Sequence, residues 1–269
     1  MTDARFRIAA VQTISCGDVA ANLSAIEPLV VDAARRGAQL VALPENFGIF
    51  GARATDKVAA RETDGDGVQQ AFLARVAREH AIWVVGGTVP IATADPTRIR
   101  SASLVFSPDG RRVARYDKIH LFAFSQGEER YDEGRTIEPG TESVAFDAPC
   151  GRVGLSVCYD LRFPELYRSL GDLTLIVVPS AFTAVTGAAH WHVLLRARAI
   201  ENQCYVLAAA QGGLHPGGRR TYGHSVLIDP WGVVLDEKDE GPGVVIGDVD
   251  TQRLAQVRRD LPALQHRSA

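Results

Sequence analysis

The stretch Gly151-Arg-Val-Gly-Leu-Ser-Val-Cys158-Tyr-Asp-Leu-Arg-Phe-Pro-Glu-Leu166 contains a strand pattern, a cysteine and a helix start in immediate succession. Its first part, 152–157, is apolar and rich in β-branched residues, which is typical of a buried strand. Pro164 and Glu165 are typical of a first helical turn, where proline fits the backbone and a carboxylate complements the helix dipole. The stretch therefore predicts a strand-to-helix corner of an α/β fold, with Cys158 at the corner.

A thiol at such a corner has two interpretations. Rigid backbone would hold Cys158 at the edge of a sheet, and a nearby helix N-terminus would lower its pKa and favour the nucleophilic thiolate. The alternative is a small, buried, apolar cysteine, which is what most cysteines are. The segment alone leaves both interpretations open.

Composition excludes several classes of protein. The 269 residues are 46% hydrophobic, which is sufficient for a sizeable core, and the formal net charge is −3. No basic tract indicates nucleic-acid binding, and no apolar run reaches membrane-spanning length. The N-terminus lacks the pattern of a secretory signal, and four scattered cysteines suit a reducing compartment. We therefore expect a cytoplasmic protein that binds neither nucleic acid nor membrane.

The order of predicted elements indicates the fold class. Helices are predicted at 22–36, 68–80 and 191–202, hairpins at 103–116 and 224–236, and single strands at 6–12, 39–43, 82–85, 152–157, 174–178, 205–210 and 244–249. This mixture favours layered α/β architecture with mixed sheets over a purely parallel sheet. Because no linker or repeat divides the chain, we expect one domain, 1–269. The loops 123–139 and 212–220 would either cover a site or be plain surface loops.

Two further side chains resemble Cys158 in their position. Glu45 follows a buried strand, and is either a general base with a raised pKa or a solvated carboxylate opening a loop. Lys118 follows a hairpin strand, and either stabilises an oxyanion or lies exposed on an edge strand. All three residues lie at or just beyond the end of an apolar strand, where α/β folds build their sites.

Together these residues resemble the nitrilase, or carbon–nitrogen hydrolase, superfamily. Leu-Pro-Glu45-Asn, Tyr-Asp-Lys118-Ile-His-Leu-Phe and Val-Cys158-Tyr-Asp-Leu-Arg-Phe-Pro-Glu-Leu match its Glu, Lys, Cys triad in chain order. Further motifs extend the resemblance over nearly the whole chain: Pro179-Ser-Ala-Phe182, Ala189-His-Trp191, Leu195-Arg-Ala-Arg-Ala-Ile-Glu201, Tyr222-Gly-His-Ser225 and Asp229-Pro-Trp-Gly232. The resemblance implies a four-layer αββα sandwich with two mixed sheets, and neither a metal nor another cofactor.

Within the superfamily, the C-terminal half resembles the branch of deaminated glutathione amidases. Its markers include Gln203-Cys204-Tyr205, Ala-Ala-Ala-Gln211 and the tail Arg-Arg-Asp-Leu-Pro-Ala-Leu-Gln-His-Arg. The resemblance implies hydrolysis of a small carboxylate-bearing amide, deaminated glutathione, to 2-oxoglutarate and cysteinylglycine, by a homodimer. The alternatives are the sister ω-amidases, which share the triad and act on 2-oxoglutaramate, and a non-catalytic nitrilase-like interaction protein.

The resemblance also implies roles for individual residues. Glu45 would accept the thiol proton while Cys158 attacks the amide carbonyl, and Lys118 with the backbone N–H of Tyr159 would stabilise the oxyanion. The family uses a second glutamate, which Glu133 matches by its spacing to Pro139-Gly140. Glu128 and Glu129 compete for this position because the preceding loop varies in length.

Substrate contacts are predicted from position relative to the nucleophile. A 2-oxoglutaryl amide carries a carboxylate and a ketone, so its pocket needs at least one cation. Arg162, four residues past Cys158, is the first candidate, and Phe182 could line an apolar wall. Arg196 and Arg198 are more typical of structural ion pairs.

Histidine chemistry offers a competing interpretation. A papain-like cysteine–histidine enzyme would need one of His120, His190, His192 or His224 as the partner of its cysteine, but the chain lacks that class's cysteine signature. Metal binding by His190 together with His192 is disfavoured, because i, i+2 spacing on a helix points the rings apart.

Overall fold

The structure is a computed structural model that describes residues 5–126 and 129–266; of Gln126 and Glu129 only the backbone is described. The strands of the described residues are β1 Arg5–Gln12, β2 Leu40–Ala42, β3 Trp83–Val85, β4 Val89–Ala92, β5 Ile99–Phe106, β6 Arg112–Asp117, β7 Ala123–Gln126, β8 Glu129–Asp132, β9 Ala145–Ala148, β10 Gly151–Leu155, β11 Leu175–Ser180, β12 Tyr205–Ala210, β13 Gly212–Leu214, β14 Arg220–Tyr222, β15 Ser225–Ile228, β16 Val234–Lys238 and β17 Gly243–Asp250. The α-helices are α1 Val19–Arg35, α2 Ala54–Ala59, α3 Val68–His80, α4 Pro164–Ser169, α5 Ala184–Asn202 and α6 Thr251–Asp260, and short 3-10 helices span Glu133–Arg135, Cys158–Arg162 and Ala263–His266.

Two large mixed sheets form the centre of the molecule. The first has the order β17-β1-β2-β3-β5-β4, with β6 paired to β5, and its strands β1, β2 and β3 run parallel. The second has the order β16-β15-β12-β11-β10-β9, with β10, β11 and β12 parallel. Two small hairpins, β7–β8 and β13–β14, lie outside these sheets.

Alternating side chains divide the first sheet between two cores, because successive residues of a strand point to opposite faces. Ile8 and Leu40 pack in one core with Val153 and Leu207 of the second sheet. Their neighbours on the same strands pack instead against α1 and α3, in a second core that includes Ala9, Val41, Ile26, Val30, Leu73 and Val76.

The outer side of the second sheet is covered by α4 and α5, through Tyr167, Trp191 and Leu195. The layers are therefore helix, sheet, sheet and helix, and the predicted αββα sandwich is confirmed. None of the helices in the described part of the chain is long and apolar enough to cross a membrane.

Most predicted elements are present, and the differences have local causes. Helix α5 begins at Ala184, seven residues before its predicted start at 191, because the Thr183 hydroxyl caps it by accepting the Thr186 N–H. The predicted loop 123–139 contains the short hairpin β7–β8, and the predicted loop 212–220 overlaps the hairpin β13–β14, which extends to Tyr222. These strands are three or four residues long, too short for a clear alternating pattern.

Two glycines press against the backbone beside candidate site residues. Gly87 has φ +45°, and a Cβ there would collide with the carbonyl oxygen of Pro44, which precedes Glu45. Gly140 donates its N–H to the Lys118 carbonyl at 2.9 Å, and a Cβ there would collide with the carbonyl oxygen of Asp117. Close backbone approach, which only glycine permits, therefore fixes both segments.

Gly87→Ala is expected to lower the free energy of unfolding by about 2–4 kcal/mol, from overpacking and a left-handed alanine together. Gly171→Ala is a matched control, because Gly171 also has positive φ but a Cβ there meets nothing within 4 Å. The control should lose about 1 kcal/mol. Urea unfolding measures both values, and equal losses would contradict the collision with Pro44.

The buried thiol of Cys204 predicts an alkaline loss of stability. Burial raises its pKa to about 12, from an ordinary value of 9.0. The folded state therefore keeps this proton where the unfolded chain releases it, so the contribution is full below pH 9.0 and is lost between pH 9.0 and about 12. Each such thiol lowers the free energy of unfolding by up to about 1.4 kcal/mol per pH unit in that window. Cys204→Ala should flatten the decline, measured by denaturant unfolding from pH 8 upward; an unchanged slope would contradict the assignment.

Candidate active site

A buried ammonium group lies between two carboxylates. Lys118 Nζ donates to Glu45 Oε1 at 2.8 Å and to Glu133 Oε2 at 2.7 Å, and the Lys118 side chain is 0% exposed. Burial alone would lower the pKa of Lys118, but the two carboxylates hold it well above its ordinary value. Burial would likewise raise the pKa of Glu133, but Lys118 and Lys57 lower it below its ordinary value. Lys118 is therefore a fixed cation at neutral pH.

Strand ends and backbone hydrogen bonds place the first two of these residues. Glu45 follows β2, and its carbonyl accepts from Gln211 Nε2 at 3.1 Å. The next residue, Asn46, has φ +59° and donates its N–H to Thr88 Oγ1 at 2.8 Å. Lys118 follows β6 directly. The chain thus turns sharply at Glu45, in a conformation that two side chains from distant segments hold in place.

Of the three glutamates predicted for the neighbouring position, the structure brings Glu133 onto Lys118. Its Oε2 also accepts the N–H of Phe122 at 2.8 Å, so one carboxylate oxygen takes two donors. Glu128 lies outside the described residues, and of Glu129 only the backbone is described.

Cys158 begins the 3-10 helix Cys158–Arg162. Strand β10 ends at Leu155, so two residues outside the strand separate it from Cys158, and the predicted strand 152–157 extended too far. It is 7% exposed and has φ +51°, a left-handed conformation that is uncommon for a residue with a side chain. Burial raises its pKa well above the ordinary value and the Glu45 charge adds to this, whereas Lys118 lowers it. The expectation that a helix N-terminus lowers this pKa was therefore wrong, because desolvation and a nearby carboxylate outweigh it. The resting group is a neutral thiol that needs a base.

The sequence did not indicate Asp160, whose hydrogen bonds join the turn at Cys158 to the residues around Lys118. It is fully buried; its Oδ2 accepts from Tyr116 Oη at 2.7 Å and from the Val157 N–H at 2.8 Å. Its Oδ1 accepts the His120 N–H at 3.0 Å and lies 2.7 Å from His120 Nδ1. An acid two residues after a candidate nucleophile, with a tyrosine and a histidine flanking the lysine, is the signal that could have identified it.

These groups surround one pocket with about 340 Å³ of free space, part of it open to solvent. Glu45, Glu133, Cys158 and Tyr159 line it, and so do both residues predicted to contact substrate, Arg162 and Phe182. The Arg162 guanidinium lies 5.6 Å from the Phe182 ring centre, and its Nη1 lies 3.2 Å from His190 Nδ1. Its polar contact with protein is thus an imidazole ring rather than a carboxylate. Arg196 and Arg198 are absent from the lining.

Two cations near the pocket were not predicted. Arg219 lines it from the loop 212–220. Lys57, on α2, has a pKa lowered by burial, although the Glu133 and Glu45 charges act in the opposite direction. Neither residue lies in a motif that indicates a function, so only the tertiary structure identifies them.

The four histidines of the competing papain-like interpretation have other partners. His120 bonds Asp160, His190 contacts Arg162, and both His192 and His224 bond Glu237 Oε1, at 2.8 and 2.6 Å. His190 and His192 thus contact different groups, as their spacing predicts. Within the described residues, His192, His224 and Glu237 are the one set whose ligand atoms, all within 4.8 Å of one another, could hold a metal ion.

Comparisons with known proteins agree with this arrangement. The family model described as carbon–nitrogen hydrolase matches residues 7–259. A deaminated glutathione amidase of Synechocystis is 41% identical over 265 residues, covering 96% of this chain and 97% of that protein. The mouse omega-amidase NIT2 is 36% identical over 268 residues, covering 98% and 95%. The crystal structure of the C. elegans NitFhit protein superposes with a TM-score of 0.91 at 38% identity, covering 100% of this chain and 66% of that one.

The family match covers most of the chain, and the relatives exceed 30% identity over nearly its full length. This protein therefore belongs to the carbon–nitrogen hydrolase family.

Proposed function

We propose that this chain is an amidase that hydrolyses deaminated glutathione to 2-oxoglutarate and cysteinylglycine through a thioester on Cys158. The observation that carries the proposal is the buried Lys118 ammonium, which binds Glu45 and Glu133 at a pocket that Cys158 also lines. A neutral thiol, a carboxylate base and a fixed cation are the parts that nucleophilic attack on an amide requires. The name of the Synechocystis relative supports the choice of substrate.

The first half-reaction forms the thioester. Glu45 takes the thiol proton as the Cys158 sulfur bonds to the amide carbonyl carbon, and the carbonyl electrons move onto oxygen. Lys118 and the backbone N–H of Tyr159 stabilise that oxyanion. When the oxyanion collapses, the carbon–nitrogen bond breaks and Glu45 returns its proton to the departing amine.

The second half-reaction releases the acid. Glu45 takes a proton from water, whose oxygen attacks the thioester carbonyl at the same oxyanion site. Collapse of this second intermediate breaks the carbon–sulfur bond, and the proton on Glu45 restores the thiol. Glu133 positions Lys118 throughout, because its carboxylate binds the ammonium from another segment of the chain.

The pocket lining supports a carboxylate-bearing substrate. We assign Arg162 to the keto acid end, where a guanidinium can bind a carboxylate by two parallel hydrogen bonds. Phe182, which is 6% exposed, supplies an apolar wall beside it.

We also propose that the enzyme is a cytoplasmic homodimer. The four cysteines are unpaired, which suits a reducing compartment. Helix α5 exposes Val185, Val193 and Ile200, and the nearby Trp231 is 54% exposed. Apolar residues grouped on one covering helix are typical of a surface that another subunit buries.

Cys158→Ala is expected to lower kcat for deaminated glutathione by at least about a thousandfold, because no other group can form the thioester. The fold should persist, since a small buried side chain is replaced by a smaller one. Steady-state release of 2-oxoglutarate measures the rate.

The controls are Cys16→Ala, Cys150→Ala and Cys204→Ala, each of which should retain substantial activity. Turnover near the wild-type rate in Cys158→Ala would move the nucleophile elsewhere.

Deaminated glutathione should be cleaved at least about a hundredfold faster than intact glutathione, because the amino group of glutathione puts a cation where the ketone belongs and leaves pocket donors unpaired. The ratio of kcat/KM values for the two compounds measures this. Comparable rates, or a clear preference for 2-oxoglutaramate, would overturn the choice of substrate but not the amidase class.

A further inference from the structure

Two guanidinium groups line the pocket on separate aromatic supports. Arg162 lies 5.7 Å from the Tyr159 ring centre and 5.6 Å from that of Phe182. Arg219 lies 4.5 Å from the ring centre of Tyr131 and 5.2 Å from that of Phe50. The two arginines therefore rest on different aromatic side chains of the pocket region.

The support beneath Arg219 is rigid. Phe50 stacks on the ring of His215 at 3.9 Å between ring centres, and His215 is only 1% exposed. The imidazole nitrogens bond Ser15 O and Thr221 Oγ1, both at 2.8 Å, and the His215 N–H donates to the Arg219 carbonyl at 2.9 Å. The turn that carries Arg219 is therefore fixed at both its backbone and its aromatic base before any ligand binds.

The charge of Arg219 is not neutralised by any carboxylate within residues 5–126 and 129–266 for which side chains are described. The two pocket carboxylates, Glu45 and Glu133, bind Lys118 instead. The next residue, Arg220, does have such a partner, Glu240 at 2.7 Å. Arg219 Nε is moreover buried and has no hydrogen-bond partner among the residues whose side chains are described. Native structures satisfy nearly all buried donors, so a guanidinium at a pocket with such an Nε indicates an anionic ligand.

The proposed substrate has an anion at each end. Its keto acid carboxylate lies on the acyl side of the scissile amide, and the glycine carboxylate lies at the far end of the amine that leaves. 2-Oxoglutaramate has the first carboxylate but not the second. A pocket with one guanidinium would suffice for the smaller amide, whereas this pocket has two.

We infer that Arg219 forms a second anion-binding subsite, which takes the terminal carboxylate of the dipeptide leaving group. The inference rests on the proposed function, with Arg162 on the acyl side, and it identifies the residue that makes the longer substrate the preferred one. Phe50 and Tyr131 hold the guanidinium plane, so that its free N–H groups meet the carboxylate without a large loss of side-chain entropy.

The first test compares R219Q with the matched control R220Q, a neighbouring arginine that is paired on the surface. R219Q should lower kcat/KM for deaminated glutathione by about tenfold or more, chiefly through KM, because a charge-assisted contact to substrate is lost. Its effect on 2-oxoglutaramate should stay below about threefold by the same reasoning. R219K should recover part of the loss, since lysine keeps the charge but not the planar fork. R220Q should behave as wild type on both compounds.

The second test changes the ligand, and its first comparison uses only the wild-type enzyme. Deaminated glutathione with its glycine carboxylate converted to an amide should be a poorer substrate of the wild-type enzyme by about the same factor as R219Q loses. In R219Q the capped and uncapped compounds should have equal kcat/KM values.

The outcomes separate this subsite from the amidase function. The subsite would be overturned if amidation of the glycine carboxylate left kcat/KM of the wild-type enzyme unchanged. It would also be overturned if R219Q lost the same factor in kcat/KM on deaminated glutathione and on 2-oxoglutaramate. Either result would leave the amidase proposal intact. Failure of the wild-type enzyme to hydrolyse either amide would overturn the proposed function, and the subsite with it.

Discussion

The Lys118 ammonium cannot be buried unless carboxylates come to it, and the site depends on this constraint. An isolated buried charge costs several kcal/mol, which excellent geometry and further hydrogen bonds must offset. Here the carboxylates come from two separate segments, one following β2 and the other beginning the 3-10 helix Glu133–Arg135. The two ion pairs of Lys118 therefore hold Glu45 and the loop of Glu133 together, whether or not a substrate is present.

A second buried acidic side chain, Asp160, fixes the position of the nucleophile. Asp160 binds the turn that carries Cys158 and the segment around Lys118, through Tyr116 and His120. Neither Lys118 nor Cys158 can shift without disturbing this carboxylate. Preorganisation of this kind is what a site needs if its donors are to meet an oxyanion without reorganising during the reaction. Polar networks of the loops, rather than the apolar core alone, thus maintain the geometry.

The sequence predicted most helices and strands because their physical causes are local, whereas the four-layer arrangement was implied by the family resemblance. Helix α3 and strand β12 have the predicted bounds, since strong periodicity and clear boundaries define them. The sequence also marked Glu45, Lys118 and Cys158, because strand ends and a resemblance both pointed to them. It could not show that Asp160 is shared by two segments, that Arg219 rests on Phe50, or that the Cys158 pKa is raised. Each of these depends on residues that are distant in the chain, and local patterns carry no information about such distances.

The pairing of β1 with β17 has a consequence for how the molecule assembles. Arg5 lies opposite Asp250 and Gln12 opposite Gly243, so the first strand described pairs with the last one. During synthesis, β1 can pair with β2 early, but its other edge stays open until residues 243–250 have left the ribosome. Contacts of such long sequence separation form slowly, and an unpaired apolar strand edge favours association with other chains meanwhile. Nascent copies of this protein should therefore be most vulnerable to aggregation just before β17 emerges, and a chaperone that shields the edge of β1 would act in that interval.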